Sequence, residues 1–471
     1  MSAPSGKRTR FRDFVADQTA RPLFDYFMLL GITVVLTGIG LVMVLSASMA
    51  TSGQESGSVW GVFIRQAVMV VLGFIGFWIV LQVRIRAIKA LATPMMVISL
   101  IALVAVLVVG TGMDEWGAQQ WIRVGSVGLQ PSELAKIALS LWGAKVLADR
   151  LRKATTFGEL YGLFAAGALA TILLVAVQRD LGMVVVISVV ALALTVCTGL
   201  PGKAIALLTG VGIIGFVLLI LFEGFRSQRI LTYLDTFFLN YSDIRGPGYQ
   251  VYQGTLSLAD GSLTGVGLGQ SRAKWFYLPE ANNDFIFAII GEELGFLGAT
   301  LVIVLYGLLG WVGLRIAMKQ VDPFLRLLAA TLTTSVVVSA FINIGYVVGW
   351  LPVTGIQLPL ISAGGTSAII TIGSMGMLAT CARHEPESIS AMQTSGRPVV
   401  DRVLRVPEPL PYEQRSVRDG RSRAHREPQR FGKPVTYDND VRGGTGVDLD
   451  RPRRRDPRQG TRNNGQGRSR R

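Results

Sequence analysis

Long apolar runs, set apart by short polar or basic connections, constrain this chain more than any other feature. They are 24–48, 60–82, 91–110, 132–148, 160–178, 182–199, 204–222, 284–314, 326–349 and 364–382. A helix needs about 20 mostly apolar residues to cross a bilayer core of roughly 30 Å, so each run is long enough, or nearly so, to span. The polar step Gln178-Arg179-Asp180 divides what could pass for one long span into two joined by a tight hairpin. The first run is too long for a signal-peptide apolar region of ~7–15 residues and reads as a retained span. The expectation is an all-α polytopic membrane protein with about ten transmembrane helices.

Composition agrees once the charge is located. The 471 residues have a mean hydropathy of +0.45 and a net charge of +15. Apolar residues fill 23–382, a short basic arm occupies 1–22, and 383–471 is polar, basic and rich in Pro, Gly and Arg. That tail reads as disordered, because it holds too little apolar surface to offset the entropy of ordering. Lys and Arg in the short loops set orientation. The arm carries Lys7, Arg8, Arg10, Arg12 and Arg21, and alternate loops carry Arg84, Arg86 and Lys89; Arg150, Arg152 and Lys153; Lys203; and Arg315, Lys319 and Arg326. The intervening short loops carry only Arg123 and Arg179. Both termini are therefore expected in the cytoplasm, with 110–131, 179–181, 350–363 and a large loop, 223–283, between the seventh and eighth helices on the other side. No transporter-like repeat of broken helices is evident.

Several chemistries are excluded early. Both histidines, His384 and His425, lie in the tail, and Cys197 and Cys381 are far apart. Histidine triads, zinc sites and a disulfide framework drop out. Acid–base work in the membrane region falls to carboxylates, lysines or tyrosines.

Ionisable groups inside spans are costly and face a cavity or a partner. Glu133 and Lys136 are three apart, on one helix face, and read either as a structural ion pair or as cavity residues. Ser132 is a plausible cap beside them, and Lys145 reads as a snorkelling side chain. Asp284 opens the eighth run, where it is either a helix cap or a functional carboxylate. Glu292, eight residues on, lies near the same face and about 12 Å deeper; for Glu292 and Glu293 helix–helix hydrogen bonding is the simpler role. Asp180 is a natural turn residue. The glycine-rich run 261–269 could cradle a diphosphate through its amides, with a flexible loop as the default. The Pro/Gly-rich run 352–366 beside a span is a credible cavity rim. Trp116, Trp121, Trp275, Phe276, Tyr277 and Trp350 read mostly as interfacial anchors.

Three segments, in order, resemble the motifs of the SEDS family of peptidoglycan glycosyltransferases. The first is Gln120-Trp121 with Gln130-Pro131-Ser132-Glu133-Leu134-Ala135-Lys136. The second runs from Tyr277 to Ala288, containing Asn282-Asn283-Asp284, and continues with Gly291-Glu292-Glu293-Leu294-Gly295. The third is Asn343-Ile344-Gly345 with Leu351 to Gly355, Leu358-Pro359-Leu360 and Gly364-Gly365-Thr366-Ser367. The resemblance covers 24–382 and is nearer the division branch than the elongation branch. It implies ten helices, polymerisation of lipid II outside the plasma (inner) membrane at the septum, and a class B penicillin-binding protein and other divisome proteins as partners. It implies that Asp284 is the catalytic residue and that Glu133 and Lys136 line the central cavity. The chain departs from the family at Asn282-Asn283, Gln178-Arg179 and Ala363, where His-Thr, Glu-Pro or Gln-Pro, and Tyr are common.

On that resemblance an acceptor sugar hydroxyl attacks the anomeric carbon of a glycan linked to undecaprenyl diphosphate, with Asp284 as general base. The wider cavity set is Glu133, Lys136, Arg123, Asp180, Gly265, Gly267, Gly269, Lys274, Glu292, Gly364 and Gly365. Lys136, Arg123, Arg272, Lys274 and the glycine run are candidates for the diphosphate. No cofactor is called for, although a divalent cation could ride on the diphosphate. The arginine-rich tail suits anionic lipid or an acidic division protein, and no nucleic acid is expected. A lipid II flippase and a non-enzymatic divisome scaffold are the competing functions.

Overall fold

The computed structural model describes residues 21–56, 60–112, 118–125, 127–151, 153–222, 248–272, 274, 278 and 281–412. All of them belong to one compact unit, Met1–Ser416; the remainder of the chain, Val417–Arg471, lies outside the described residues.

Each of the ten apolar runs is a helix. They are α1 Phe24–Ser56, α2 Gly61–Gln82, α3 Ile85–Val109, α4 Pro131–Arg150, α5 Phe157–Val177, α6 Leu181–Cys197 and α7 Gly202–Phe222, followed by α9 Ile286–Lys319, α10 Pro323–Val347 and α11 Thr366–Arg383. Between α7 and α9 the long connection forms the short helix α8, Tyr249–Asp260. Ahead of α4 the strands β1, Ile122–Val124, and β2, Val127–Leu129, pair as an antiparallel hairpin.

Six of the helices, α1, α2, α3, α5, α9 and α10, are long and apolar enough to cross a membrane, and α6 and α7 are shorter apolar helices. Burial separates centre from periphery. In α10, 72% of the most apolar stretch is buried, against 28% in α3. Outer helices therefore present large apolar side chains such as Ile101, Val108 and Leu207 outward. A surface this apolar would aggregate in water and suits lipid. The protein is a mostly helical, multi-pass membrane protein. α10 is central, packed against α4, α6 and α9, while α2 lies along α11 and α3 along α4.

α9 is broken. Gly295 has φ +68 and ψ −169, values outside the helical region. The break strips main-chain groups of their helical partners, and such groups at membrane depth must be satisfied by protein. The glycine run after α8 does this. Val266 and Gly267 donate their amides to the carbonyls of Glu292 (3.0 Å) and Glu293 (3.1 Å), and the amides of Phe296 and Leu297 donate to the carbonyls of Ser262 (2.9 Å) and Leu263 (3.2 Å). A β-carbon at Gly265 would lie 2.2 Å from the Glu293 carbonyl oxygen, so only glycine admits this approach.

The structure moves the boundary of the tail. Residues 383–412 are ordered on the bundle rather than disordered, with α12 Pro386–Ser395 and α13 Val399–Val403. The reason is a buried polar latch that composition does not reveal. Asp401, fully buried, accepts from Arg383 (2.9 Å to Nε, 2.8 Å to Nη2) and from the Tyr26 hydroxyl (2.8 Å). Trp78 Nε1 and Gln82 Nε2 both donate to the Leu404 carbonyl at 2.9 Å. The basic arm through Arg12 and the arginine clusters near the C-terminus lie outside the described residues, as do Trp116, Trp275, Phe276 and Tyr277.

Candidate active site

Asp284 sits in the turn 281–285 just ahead of α9. The helix N-cap falls on Phe285, so Asp284 is not the cap that its position suggested. The main chain of this turn is held at three successive carbonyls. The Ala363 amide donates to Asn282 O (3.0 Å), Ser362 Oγ to Asn283 O (2.7 Å), and both Asn343 Nδ2 (2.9 Å) and the Tyr346 hydroxyl (3.0 Å) to Asp284 O. The donors come from α10 and from the irregular run 351–365. With the carbonyls anchored, Asn282, Asn283 and Asp284 border a pocket of about 490 Å³, a size suited to an organic ligand. Gly355, at φ +75, closes on the carboxylate: a β-carbon there would stand 3.6 Å from Asp284 Oδ2.

The other walls come from the β1–β2 hairpin, the α5–α6 turn and α2. Arg123 pairs with Gly128 across the hairpin, and Thr366 Oγ1 ties the hairpin to α11 through the Gly128 carbonyl at 2.8 Å. In the α5–α6 turn Gln178 Nε2 donates to Leu103 O (2.9 Å) and the Gln178 carbonyl accepts from the Gln119 amide (3.1 Å). Those bonds hold Arg179 at φ +62, a left-handed conformation costing roughly 1–2 kcal/mol for a residue with a β-carbon. Asp180 caps α6, its Oδ1 accepting from the Met183 amide (3.1 Å), while Oδ2 accepts from Gln130 Nε2 (3.2 Å) and Ser132 Oγ (3.3 Å). Ser132 thus serves Asp180 and not the start of α4, whose N-cap position is Gln130.

Of the residues singled out from sequence, Asp284, Arg123, Asp180, Gly364 and Gly365 line the pocket. Glu133 and Lys136 do pair, at 2.9 Å and buried, but they are not among its lining residues. Gly265, Gly267, Gly269, Lys274 and Glu292 are also absent from the lining and belong instead to the brace on the broken α9. Of the amides expected to cradle a phosphate, those of Val266 and Gly267 are engaged by α9 carbonyls and that of Gly265 by the Gly261 carbonyl. Glu292 accepts from Ser271 Oγ (2.7 Å) and the Arg272 amide (2.6 Å), not from another helix. Lys274 Nζ is bonded to the Gly269 carbonyl (2.5 Å) and paired with Glu293 (3.3 Å), leaving it poorly placed to meet a ligand. Glu293 does make a helix–helix bond, accepting from Ser46 Oγ at 2.6 Å. Lys145 donates to Thr93 Oγ1 at 2.7 Å.

Sequence reasoning missed Arg65, Arg179 and Gln357 as pocket residues. Arg65 was detectable as a charge inside an apolar run; Arg179 entered the loop-charge count, the polar step between two spans and the motif departure, but not the list of cavity residues. Among the described residues the charged ones lining the pocket are Arg65, Arg123, Arg179, Asp180 and Asp284. Arginine guanidinium groups and carboxylates thus border the same pocket, a lining that suits a ligand carrying both anionic and hydroxyl groups. Among the described residues no group of three or more His, Cys, Asp or Glu side chains could hold a metal ion.

A family model described as "Cell cycle protein", covering FtsW, RodA and SpoVE, matches residues 27–387. The chain is 40% identical over 422 residues to the "Probable peptidoglycan glycosyltransferase FtsW" of Mycobacterium tuberculosis, covering 90% of this chain and 79% of that protein. It is 35% identical over 357 residues to the "Stage V sporulation protein E" of Bacillus subtilis, covering 76% of this chain and 96% of that one. Among solved structures, a chain of a peptidoglycan synthase complex that coordinates polymerization and crosslinking superposes with a TM-score of 0.61 at 25% identity, covering 76% of this chain and 97% of its own. The rod shape determining protein RodA of Thermus thermophilus gives a TM-score of 0.56 at 26% identity, with coverage of 76% and 96%.

Proposed function

The chain belongs to the FtsW, RodA and SpoVE family of cell-cycle proteins, and from that premise we propose that Asp284 is the general base of its glycosyl transfer. The protein is a peptidoglycan glycosyltransferase of the multi-pass membrane type. The reading of Asp284 rests on one observation above all. It is a carboxylate at the edge of a ligand-sized pocket whose other charged walls include Arg65, Arg123 and Arg179. A glycan polymerase needs this pairing of a base with positive charge.

In the reaction the 4-hydroxyl of the acceptor sugar on a lipid II molecule attacks the anomeric carbon of the donor glycan. The new C–O bond forms as the bond from that carbon to the diphosphate breaks, with inversion. Asp284 takes the hydroxyl proton, and one base is enough for a single displacement. The electron pair leaves with undecaprenyl diphosphate, whose charge the three arginines stabilise. Both reactants are anchored by their lipid tails, which limits approach geometry and lowers the entropic part of the barrier.

Ten membrane crossings with both ends cytoplasmic are supported by the alternation of Lys and Arg in the loops. On this topology the pocket opens outside the cytoplasm. The likeness to a chain of a peptidoglycan synthase complex supports a transpeptidase partner of the class B penicillin-binding type, and the similarity to FtsW supports action at the division septum.

The test is polymerisation of labelled lipid II by the purified chain with its partner in nanodiscs, read as glycan polymer on a gel. Wild type should yield polymer, while Asp284→Asn and the partner alone should yield none. Normal polymer from a folded, partner-bound Asp284→Asn protein overturns the assignment.

A further inference from the structure

The clamp beneath Asp284 is built from side chains to which no role has been given. Asn343 and Tyr346 are three apart on α10, hence on one face, and both are fully buried. Asn343 Nδ2 lies within hydrogen-bond distance of three oxygens: Asp284 O (2.9 Å), Ile356 O (2.7 Å) and the Tyr346 hydroxyl (2.7 Å). The Tyr346 hydroxyl in turn reaches Asp284 O (3.0 Å) and Ile356 O (2.7 Å). The two side chains thus connect the same pair of carbonyls, one preceding α9 and one following Gly355.

This pair of carbonyls fixes a distance that matters to the chemistry. Gly355 precedes Ile356 and approaches the Asp284 carboxylate, while Asp284 carries that carboxylate. The Tyr346 ring also meets Phe285 edge to face, with centroids 5.7 Å apart, so both the residue before α9 and its N-cap are braced against α10. Two donors converge on the main-chain carbonyl of Asp284, the one carboxylate-bearing residue of the turn 281–285. Resting on the assignment of Asp284 as base, we infer that Tyr346 and Asn343 are positioning residues. They hold the Asp284 main chain against the Gly355–Ile356 segment and so set where the carboxylate meets the acceptor hydroxyl.

An error of about 1 Å in such a placement can cost on the order of 100-fold in rate while leaving binding intact. The experiment compares wild type, Tyr346→Phe, Asn343→Ala and Asp284→Asn, each as the full chain with its partner in nanodiscs. Initial rates of polymerisation are measured over a range of lipid II concentrations and from acid to neutral pH. Tyr346→Phe keeps the ring packing and removes only the hydroxyl. It should lower kcat by about 10- to 100-fold, leave KM within about threefold, and displace the acid limb of the kcat profile. Asn343→Ala should move the same quantities in the same direction, providing a second reading if either variant folds poorly.

Wild-type kcat for both folded variants overturns the inference, as does a loss that appears only as a smaller folded fraction with kcat per folded molecule unchanged. An active Asp284→Asn protein overturns the base assignment itself. An inactive Asp284→Asn protein beside fully active Tyr346→Phe and Asn343→Ala proteins overturns the positioning role alone.

Discussion

Lys274 and Glu293 form an ion pair of 3.3 Å in which neither side chain is exposed by more than 1%. Glu293 also accepts from Ser46 Oγ on α1 (2.6 Å), so the pair ties the connection after α8 to two helices at once. Removing one member of a buried pair strands the other charge, at a cost of about 3–5 kcal/mol. Lys274→Ala should therefore lower the thermal midpoint markedly in detergent. The double variant Lys274→Met/Glu293→Gln, which leaves no buried charge, should recover most of the loss. KM for lipid II in the surviving folded protein should stay near wild type, because Lys274 faces the brace and not the pocket. A selective rise in KM would return Lys274 to the list of diphosphate ligands.

The brace makes a second prediction. Gly295 lies at φ +68, and a β-carbon there would stand 2.3 Å from the Gly265 amide nitrogen. Gly295→Ala must either restore a continuous helix, abandoning four bonds to the 261–267 run, or strain the backbone by about 1–3 kcal/mol. Either outcome loosens the connection around Arg272 and Lys274. Trypsin cleavage there should be faster in the variant than in wild type, with peptide mapping as the readout. Unchanged cleavage would show that the loop holds without the break.

How much of this was legible beforehand depends on range. The ten helices were legible because a continuous apolar run announces itself within its own residues. The Asp284 motif and the irregular 352–366 rim were legible for the same reason. The brace was not, since it depends on Gly265 meeting Gly295 through main-chain bonds that no side-chain pattern encodes. The buried latch was not, since Asp401 is unremarkable until Tyr26 and Arg383 reach it from distant positions. Composition therefore placed the ordered segment 383–412 with a tail expected to be disordered. Arg65 was legible and overlooked: it is an ionisable residue near the start of an apolar helix, the kind of position where charge needs a reason.

The latch sets where the chain can be shortened. Asp401 and Arg383 are both buried and joined at 2.8 Å. Ending the chain after residue 412 should leave thermal stability close to that of the full chain. Ending it after residue 384 strands Arg383 without its carboxylate and should destabilise the fold by about 3–5 kcal/mol. Asp401→Asn in the full chain should fall between the two. Fluorescence-detected melting of the three proteins in one detergent separates these outcomes.

Glu385 gives stability a pH dependence. Its carboxyl is pushed up from the ordinary 4.5 to about 8, first by burial and then by Asp25, with Lys319 acting in the opposite direction. The folded chain thus keeps a proton on Glu385 at pH values where the unfolded chain has lost it. When the folded state binds more protons, raising the pH weakens it. The contribution of this group is most favourable below about 4.5 and declines as pH rises to about 8. Glu385→Gln stays neutral throughout, so the variant should melt higher than wild type at pH 8 and differ little at pH 5. A wild-type advantage at pH 8 would contradict the raised carboxyl.

The arginines of the pocket offer the sharpest check on the leaving-group assignment, because charge and geometry can be varied separately. Arg65, Arg123 and Arg179 come from α2, from the β1–β2 hairpin and from the α5–α6 turn, so no single local distortion alters all three. If they hold the diphosphate of a bound lipid, that contact exists before the reaction and strengthens as the bond breaks. Each Arg→Gln variant should then raise KM and lower kcat together. Arg→Lys should restore the charge but not a bidentate fork, and so recover binding more than rate. The Arg179 position adds a control. Its backbone sits at φ +62, where glycine is comfortable, so Arg179→Gly removes the charge while relieving strain. That variant should fold, with the backbone strain at this position removed, and still be impaired on lipid II. An Arg179→Gly protein with normal KM and kcat would remove this residue from the anion site and leave the diphosphate to Arg65 and Arg123.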